Sequence, residues 1–245
     1  MRIVIFSGTT EGRRLSRALA EAGAEVTVCV ATDYGTEEQG SIPGVITRQG
    51  PLSAEEKREL LWDAALCVDA THPYATHVTA SVRLACEDAG TPYLRLKRAD
   101  SNTAGALCFD SASAAAAYLK ERGGNILLTT GAKELSAFAG IDPGRLFPRV
   151  LPSHAGLDAC EAAGIPHRNI IAMQGPFSRE MNAATIRQFQ IAWLVTKDGG
   201  AAGGYPEKAA AAEETGARLI LLRRPEETGL GYDEVLNMCM TRLKS

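Results

Sequence analysis

Short runs of β-branched and aliphatic residues alternate along this chain with longer stretches whose apolar residues recur every three or four positions, the pattern of strands and helices wound around a parallel sheet. Residues 3–6 read as a first strand, and 11–22 as a helix with Leu15, Ala18, Leu19 and Ala22 on one face, ended by Gly23. Further strands are predicted at 26–30, 45–47, 66–70 and 93–96, with helices at 54–62 and 76–89. A stretch of small and polar residues, 99–105, then breaks the alternation and marks a crossover between domains. A second series follows it, with strands at 107–109, 126–129, 146–150, 170–173, 193–196 and 219–222 and an alanine-rich helix at 113–121. The pattern predicts an α/β protein of two Rossmann-like parallel-sheet domains, residues 1–98 and 99–245, facing a cleft.

Composition narrows the partners more than the fold. With 45% hydrophobic and 22% charged residues among 245, the chain has the make-up of a soluble globular protein. A formal charge of −3 without a long run of either sign argues against a surface for nucleic acid or anionic lipid. No apolar stretch approaches the roughly 20 residues that span a bilayer, and Met1-Arg2 leads straight into the first strand, so a cytoplasmic protein is expected. The six cysteines, Cys29, Cys67, Cys86, Cys108, Cys160 and Cys239, form no C-x-x-C pair and mostly lie in apolar runs, which predicts buried thiols in a reducing compartment. No protein-bound metal is expected, since His77 follows His72 at a spacing that does not stack two ligands on one helix face.

Open parallel sheets bind ligands beyond the carboxyl ends of their strands. The first such turn reads Ser7-Gly8-Thr9-Thr10-Glu11-Gly12-Arg13. Gly8 permits a tight turn, Thr9 and Thr10 offer hydroxyls, the amides opening the helix suit a phosphate, and Arg13 adds a positive charge. The spacing is neither G-x-G-x-x-G nor a Walker loop, and the same residues also make an ordinary helix start with Thr9 or Thr10 as N-cap. The fourth strand runs into Asp69-Ala70-Thr71-His72-Pro73-Tyr74-Ala75. Pro73 keeps His72 out of the helical region and presents it at the strand edge with Thr71 and Tyr74, where it suits substrate contact or proton donation. A hydrogen-bonded structural histidine is the alternative reading.

In the second half, cations recur where strands end or loops follow: Lys133, Arg149, Lys197, Lys208 and Arg223-Arg224. Singly each reads as a solvated surface charge, whereas several on one rim would bind a ligand bearing many carboxylates. Two loops add to that rim. Gly175-Pro176-Phe177-Ser178-Arg179-Glu180-Met181-Asn182 opens a helix with Ser178 as its N-cap, and Thr196-Lys197-Asp198-Gly199-Gly200-Ala201-Ala202-Gly203-Gly204 either lets a large ligand approach the backbone or is a flexible surface loop.

Taken in order, Gly8-Thr9-Thr10-Glu11-Gly12-Arg13, the Asp69 to Ala75 stretch, Thr129-Thr130-Gly131-Ala132-Lys133, Arg149-Val150-Leu151-Pro152, Met173-Gln174-Gly175-Pro176-Phe177-Ser178, and Thr196-Lys197-Asp198 through Gly203-Gly204 to Glu207-Lys208 resemble the precorrin-6A reductases of corrin (vitamin B12) biosynthesis, over nearly the whole chain. Val30-Ala31-Thr32-Asp33-Tyr34-Gly35 is more similar to the branch acting on the cobalt-containing intermediate of the anaerobic pathway, and Gly199 stands where the family usually has serine. The resemblance implies two Rossmann-like domains, between which a strand can be exchanged, and a reduced nicotinamide that saturates one double bond of the macrocycle. It assigns cofactor binding to Gly8, Thr9, Thr10, Gly12, Arg13, Asp33 and Thr71, and catalysis to His72 and Tyr74. The tetrapyrrole carboxylates fall to Lys133, Arg149, Ser178, Lys197, Asp198, Gly203, Gly204 and Lys208. The loop after the second strand then faces the adenosine ribose, where Asp33, Glu37 and Glu38, with no Lys or Arg before Arg48, favour NADH over NADPH. Two other functions share the β-α pattern: a nucleotide-sugar glycosyltransferase, which would oxidise no nicotinamide, and a non-enzymatic dinucleotide sensor, which would lack a cationic second cleft.

Overall fold

The computed structural model describes residues 1–98, 103, 105–200, 203–226 and 228–244. It divides into two compact units, Met1–Ala99 with Pro225–Ser245, and Asp100–Arg224. The division falls within a residue or two of the predicted boundary; most of the crossover at 99–105 lies outside the described residues, as do Ala201 and Ala202 of the glycine-rich loop.

The first unit runs β1 (Arg2–Ser7), α1 (Thr10–Glu21), β2 (Glu25–Val30), α2 (Asp33–Gln39), β3 (Val45–Gln49), α3 (Ala54–Leu61), β4 (Leu66–Ala70), α4 (Thr76–Ala89) and β5 (Tyr93–Arg95). Its strands lie parallel in the order β3-β2-β1-β4-β5. Parallel strands are covered on both faces, which is why β1 is apolar at successive positions. Ile3 and Ile5 pack with Leu15 and Leu19 of α1, whereas Val4 and Phe6 pack with Leu60 and Leu61 of α3 and Val82 and Cys86 of α4.

The second unit runs β6 (Leu107–Phe109), α5 (Ala112–Lys120), β7 (Asn125–Leu128), a 3-10 helix (Ala132–Phe138), β8 (Leu146–Val150), α6 (His154–Ala162), β9 (Ile171–Ala172), α7 (Arg179–Gln188), β10 (Ile191–Lys197), α8 (Tyr205–Thr215) and β11 (Arg218–Leu222). All its pairings are parallel, in the order β6-β11-β10-β7-β8-β9. Starting from β9, the order 9-8-7-10-11 repeats that of the first sheet, with β6 added outside β11. In each sheet the chain reverses its direction of winding once, between β1 and β4 and between β7 and β10, and such reversals open the crevice where ligands bind.

Two sequence expectations change. The segment after β2, expected as a loop, forms α2, with the Thr32 side chain accepting from the Gly35 amide at 3.0 Å. Its run Asp-Tyr-Gly-Thr-Glu-Glu-Gln carries no apolar stripe to announce a helix. Residues 225–245, expected in the second domain, belong to the first unit. There α9 (Tyr232–Leu243) buries Val235 and Cys239 against the same core as Leu15 and Leu19, and the Arg14 guanidinium lies 4.5 Å from the Tyr232 ring centre. Leu230 forms a parallel bridge with Leu96 just beyond β5, so the returning segment brings one bridge and a helix.

Candidate functional site

In the first unit, the turns after β1 and β4 meet at the reversal. Thr9 is the N-cap of α1: its hydroxyl accepts from the Gly12 amide at 3.1 Å and donates to the Ala70 carbonyl at 2.9 Å, tying the helix start to the end of β4. That hydroxyl is therefore engaged internally. A Cβ on Gly12 would lie 2.6 Å from Ser7 Oγ and 2.9 Å from Ala70 Cβ. Glycine at 12 thus allows α1 to sit against the strands, the part played by the last glycine of a dinucleotide fingerprint. A Cβ on Gly8 would be 3.7 Å from the His72 amide nitrogen, so the two turns lie side by side. Thr10 and Glu11 begin the helix, where the first amides have no intrahelical acceptor and favour an anion. The Glu11 carboxylate is held by Arg98 at 2.7 Å. Arg13 is exposed and its Nη2 approaches Gly40 at the end of α2; Asp33, the first residue of α2, accepts from the Gln49 side chain.

A buried network lies beneath the second turn. Asp69 and Arg95, register partners on β4 and β5, form an ion pair at 2.7 Å with both side chains enclosed. Asp69 also accepts from the Thr71 amide at 3.0 Å, the Thr71 hydroxyl at 2.7 Å and the Tyr93 hydroxyl at 2.9 Å. Arg95 donates to the Thr71 hydroxyl and carbonyl, both at 3.0 Å. Thr71 is thereby part of the frame, and burial, with the charge of Asp69, raises the Tyr93 phenol above its usual range. On this frame the Tyr74 amide donates to His72 Nδ1 at 3.4 Å. The His72 and Tyr74 rings lie 5.6 Å apart.

In the second unit, the expected cations divide into two groups. Lys197 pairs with Glu134 of the 3-10 helix at 2.8 Å, Asp198 accepts from Arg224 at 3.0 Å, Arg223 pairs with Asp110 at 3.0 Å, and Lys133 is exposed. Arg149, 6% exposed on β8, instead donates to the Asn182 side-chain oxygen at 2.9 Å and stacks 4.0 Å from the Phe177 ring centre. No carboxylate pairs with it among the described residues, and burial lowers its guanidinium to about 10. Lys208 donates to the Gly203 carbonyl at 2.7 Å. Burial first, then the charge of Arg149, lower its amine to about 8. Ser178 caps α7 by accepting from the Met181 amide at 3.3 Å, and Gly204, at φ 68°, begins α8 in the left-handed region that glycine favours.

The structure thus joins Arg149 to Phe177 and Asn182, places Lys208 beside Gly203 and Gly204, and pairs Lys197 and Asp198 with Glu134 and Arg224. Sequence reasoning gave no role to the Asp69–Arg95 pair or to Asn182. Its signal was two opposite charges within otherwise apolar strands of one sheet. Five cysteines are buried and Cys108 is partly exposed. Among the described residues no group of three or more His, Cys, Asp or Glu side chains is placed to hold a metal ion, and no helix is long and apolar enough to cross a membrane.

In sequence and fold the chain is similar to known proteins. The chain is 35% identical over 233 residues to the cobalt-precorrin-6A reductase of Methanothermobacter thermautotrophicus, covering 92% of this chain and 77% of that protein. It is 34% identical to the cobalt-precorrin-6A reductase of Salmonella typhimurium, covering 96% and 91% of the two chains. The solved structure of CobK precorrin-6A reductase superposes with a TM-score of 0.78 at 25% identity, over 97% of this chain and 96% of that one. The model of the family described as precorrin-6x reductase CbiJ/CobK matches residues 2–240, and the chain belongs to that family.

Proposed function

We propose that this protein reduces one carbon–carbon double bond of cobalt-precorrin-6A in cobalamin biosynthesis, with NADH as the preferred reductant. The observation that carries this reading is the meeting of an open helix N-terminus and the His72 turn at the reversal of a 3-2-1-4-5 sheet, in a chain that matches the reductase family over residues 2–240. The turn fits a dinucleotide: Gly12 allows close helix–strand packing, and the amides of Thr10 and Glu11 are placed for a pyrophosphate with Glu11 drawn to Arg98. A reduced nicotinamide, when bound, supplies the hydride.

The residues of this chain do the rest. The Gly8 to Arg13 turn binds and orients the cofactor, so that much of the acceleration comes from positioning. His72, in its protonated form, gives a proton to the carbon next to the one that takes the hydride, so that a hydride and a proton together saturate the bond; Tyr74 and solvent are the alternative donors. The Asp69–Arg95–Thr71 frame holds that turn still. The second unit binds the macrocycle through its carboxylates.

Incubation with cobalt-precorrin-6A and NADH, following cofactor absorbance and the macrocycle spectrum together, tests this. Cofactor oxidation that requires the corrinoid is expected. Tight macrocycle binding without any change in the ring's mass would overturn the reductase reading.

A further inference from the structure

The two sheets share more than their strand order. β10 stands where β4 stands in the first sheet, and β11 where β5 stands. Near the end of β4, Asp69 Oδ1 accepts from the amide two residues on, Thr71, at 3.0 Å, while Arg95 of the next strand holds the same carboxylate at 2.7 Å. The same parts recur at the end of β10. Asp198 Oδ1 accepts from the amide two residues on, Gly200, at 3.3 Å, and Arg224, just past β11, holds Asp198 Oδ2 through Nε at 3.0 Å. In each pair the acid and the arginine are 26 residues apart along the chain, and all four side chains are at least nine-tenths enclosed.

An aspartate that accepts from the amide two residues on shapes a turn as a backbone carbonyl would. Its terminal torsion is soft, so which oxygen faces the turn depends on what holds the carboxylate from the other side. In both units an arginine from the neighbouring strand supplies that hold and neutralises the buried charge. In the first unit the residue after the shaped turn is His72. In the second, the Gly200 carbonyl accepts from the amides of Gly203 and Tyr205, both at 3.2 Å, and Tyr205 is the first residue of α8. Arg224 therefore acts through Asp198 on the glycine loop and on the start of α8. As an anion, Asp198 repels the substrate's carboxylates and does not hold them.

We propose that Asp198 and Arg224 are positioning residues, a latch that sets the shape of the loop after β10 for the substrate as Asp69 and Arg95 set the His72 turn. What the loop meets rests on the reading of this protein as a corrinoid reductase; the latch itself is built within the second unit.

The test joins amide hydrogen exchange of the full chain, followed by NMR, with steady-state kinetics on cobalt-precorrin-6A and NADH. The variants are Arg224→Met, the apolar pair Asp198→Leu with Arg224→Met, and the neutral pair Asp198→Asn with Arg224→Gln. In wild type the Gly200 amide should exchange within about 10-fold of the rate at Thr71, since a buried carboxylate holds each. Arg224→Met strands the Asp198 charge, so the melting temperature should fall and the corrinoid KM should rise about 10-fold. In the apolar pair the melting temperature should recover while the Gly200 amide exchanges fast and the corrinoid KM stays raised, a split that a merely structural ion pair would not give. The neutral pair keeps an acceptor for the Gly200 amide and should bring the corrinoid KM back to within about threefold of wild type. The KM for NADH should stay constant throughout. A Gly200 amide that exchanges freely in wild type, a wild-type corrinoid KM in the apolar pair, or a KM as high in the neutral pair as in Arg224→Met would overturn the latch; the first and last of these decide even if the apolar pair does not fold. A protected Gly200 amide in a protein that reduces no corrinoid would instead remove the proposed function and leave the latch standing.

Discussion

Arg95 in the first unit and Arg149 in the second are both almost wholly buried near the carboxyl end of a parallel strand, yet they are held in opposite ways. Arg95 faces Asp69 at 2.7 Å and completes its hydrogen bonds on Thr71, so its charge is spent within the fold. Arg149 has a neutral amide and an aromatic face for partners. A charge neutralised from inside shapes a loop, and one left without a counter-ion is suited to a ligand. The same contrast separates Lys197, paired with Glu134, from Lys208 within one unit.

Four experiments sharpen that contrast. The largest effect is expected at His72, which the Asp69–Arg95 frame supports: His72→Ala should lower turnover by roughly 10²- to 10⁴-fold, the usual worth of a positioned acid. NADH affinity, measured by direct titration, should change little. Retained turnover would move the proton to Tyr74 or to solvent.

Asp69→Ala leaves Arg95 charged and enclosed without its acid, which should cost about 3–5 kcal/mol in chemical denaturation. Replacing both members by apolar residues, Asp69→Leu with Arg95→Met, should cost far less stability while still lowering turnover, since Thr71 loses its frame. Equal instability in the single and double variants would mean that packing, not charge, holds the pair in place.

In the second unit, Arg149→Ala should weaken corrinoid binding by about 10- to 150-fold, the 1.5–3 kcal/mol of a charge-assisted contact. Lys197→Ala, whose ion pair with Glu134 is partly exposed, should change it by under about 1 kcal/mol. Substrate titration of the two variants checks the difference, and a reversed order would put the macrocycle on the Lys197 side of the sheet.

The smallest effect concerns the cofactor. Asp33, Glu37 and Glu38 lie on α2 with Arg13 reaching toward its end at Gly40, so NADH should have the higher kcat/KM in side-by-side kinetics at physiological salt. A preference for NADPH would assign Arg13 to the 2′-phosphate.

The strands and most helices were legible because each carries its own hydrophobic period: α4 spans the residues its apolar spacing predicts, and β8 does too. The turns at Gly8 and His72 were legible for the same reason, since a residue just past a parallel strand is placed by the strand. What local pattern does not carry is the choice of partner. Val235 and Cys239 give α9 an apolar side, but only the tertiary fold sends it to the core of the first unit. Likewise nothing in the spacing of Lys197, Arg149 and Lys208 separates the cation that Glu134 neutralises from the two that no acid pairs with, because Glu134 comes from a 3-10 helix distant in sequence. The double glycine at 203–204 and the aromatic ring at 177 were visible, while the acceptor from Asn182 that orients Arg149 was not.

The most direct measurement of the central claim is the fate of a labelled hydride. With cobalt-precorrin-6A and NADH carrying deuterium at the reactive ring position, the product's mass should show one deuterium from the cofactor and one hydrogen from solvent, appearing together as NADH is oxidised. A product ring that stays unreduced, or one reduced without taking up the cofactor's label from either face, would contradict the account.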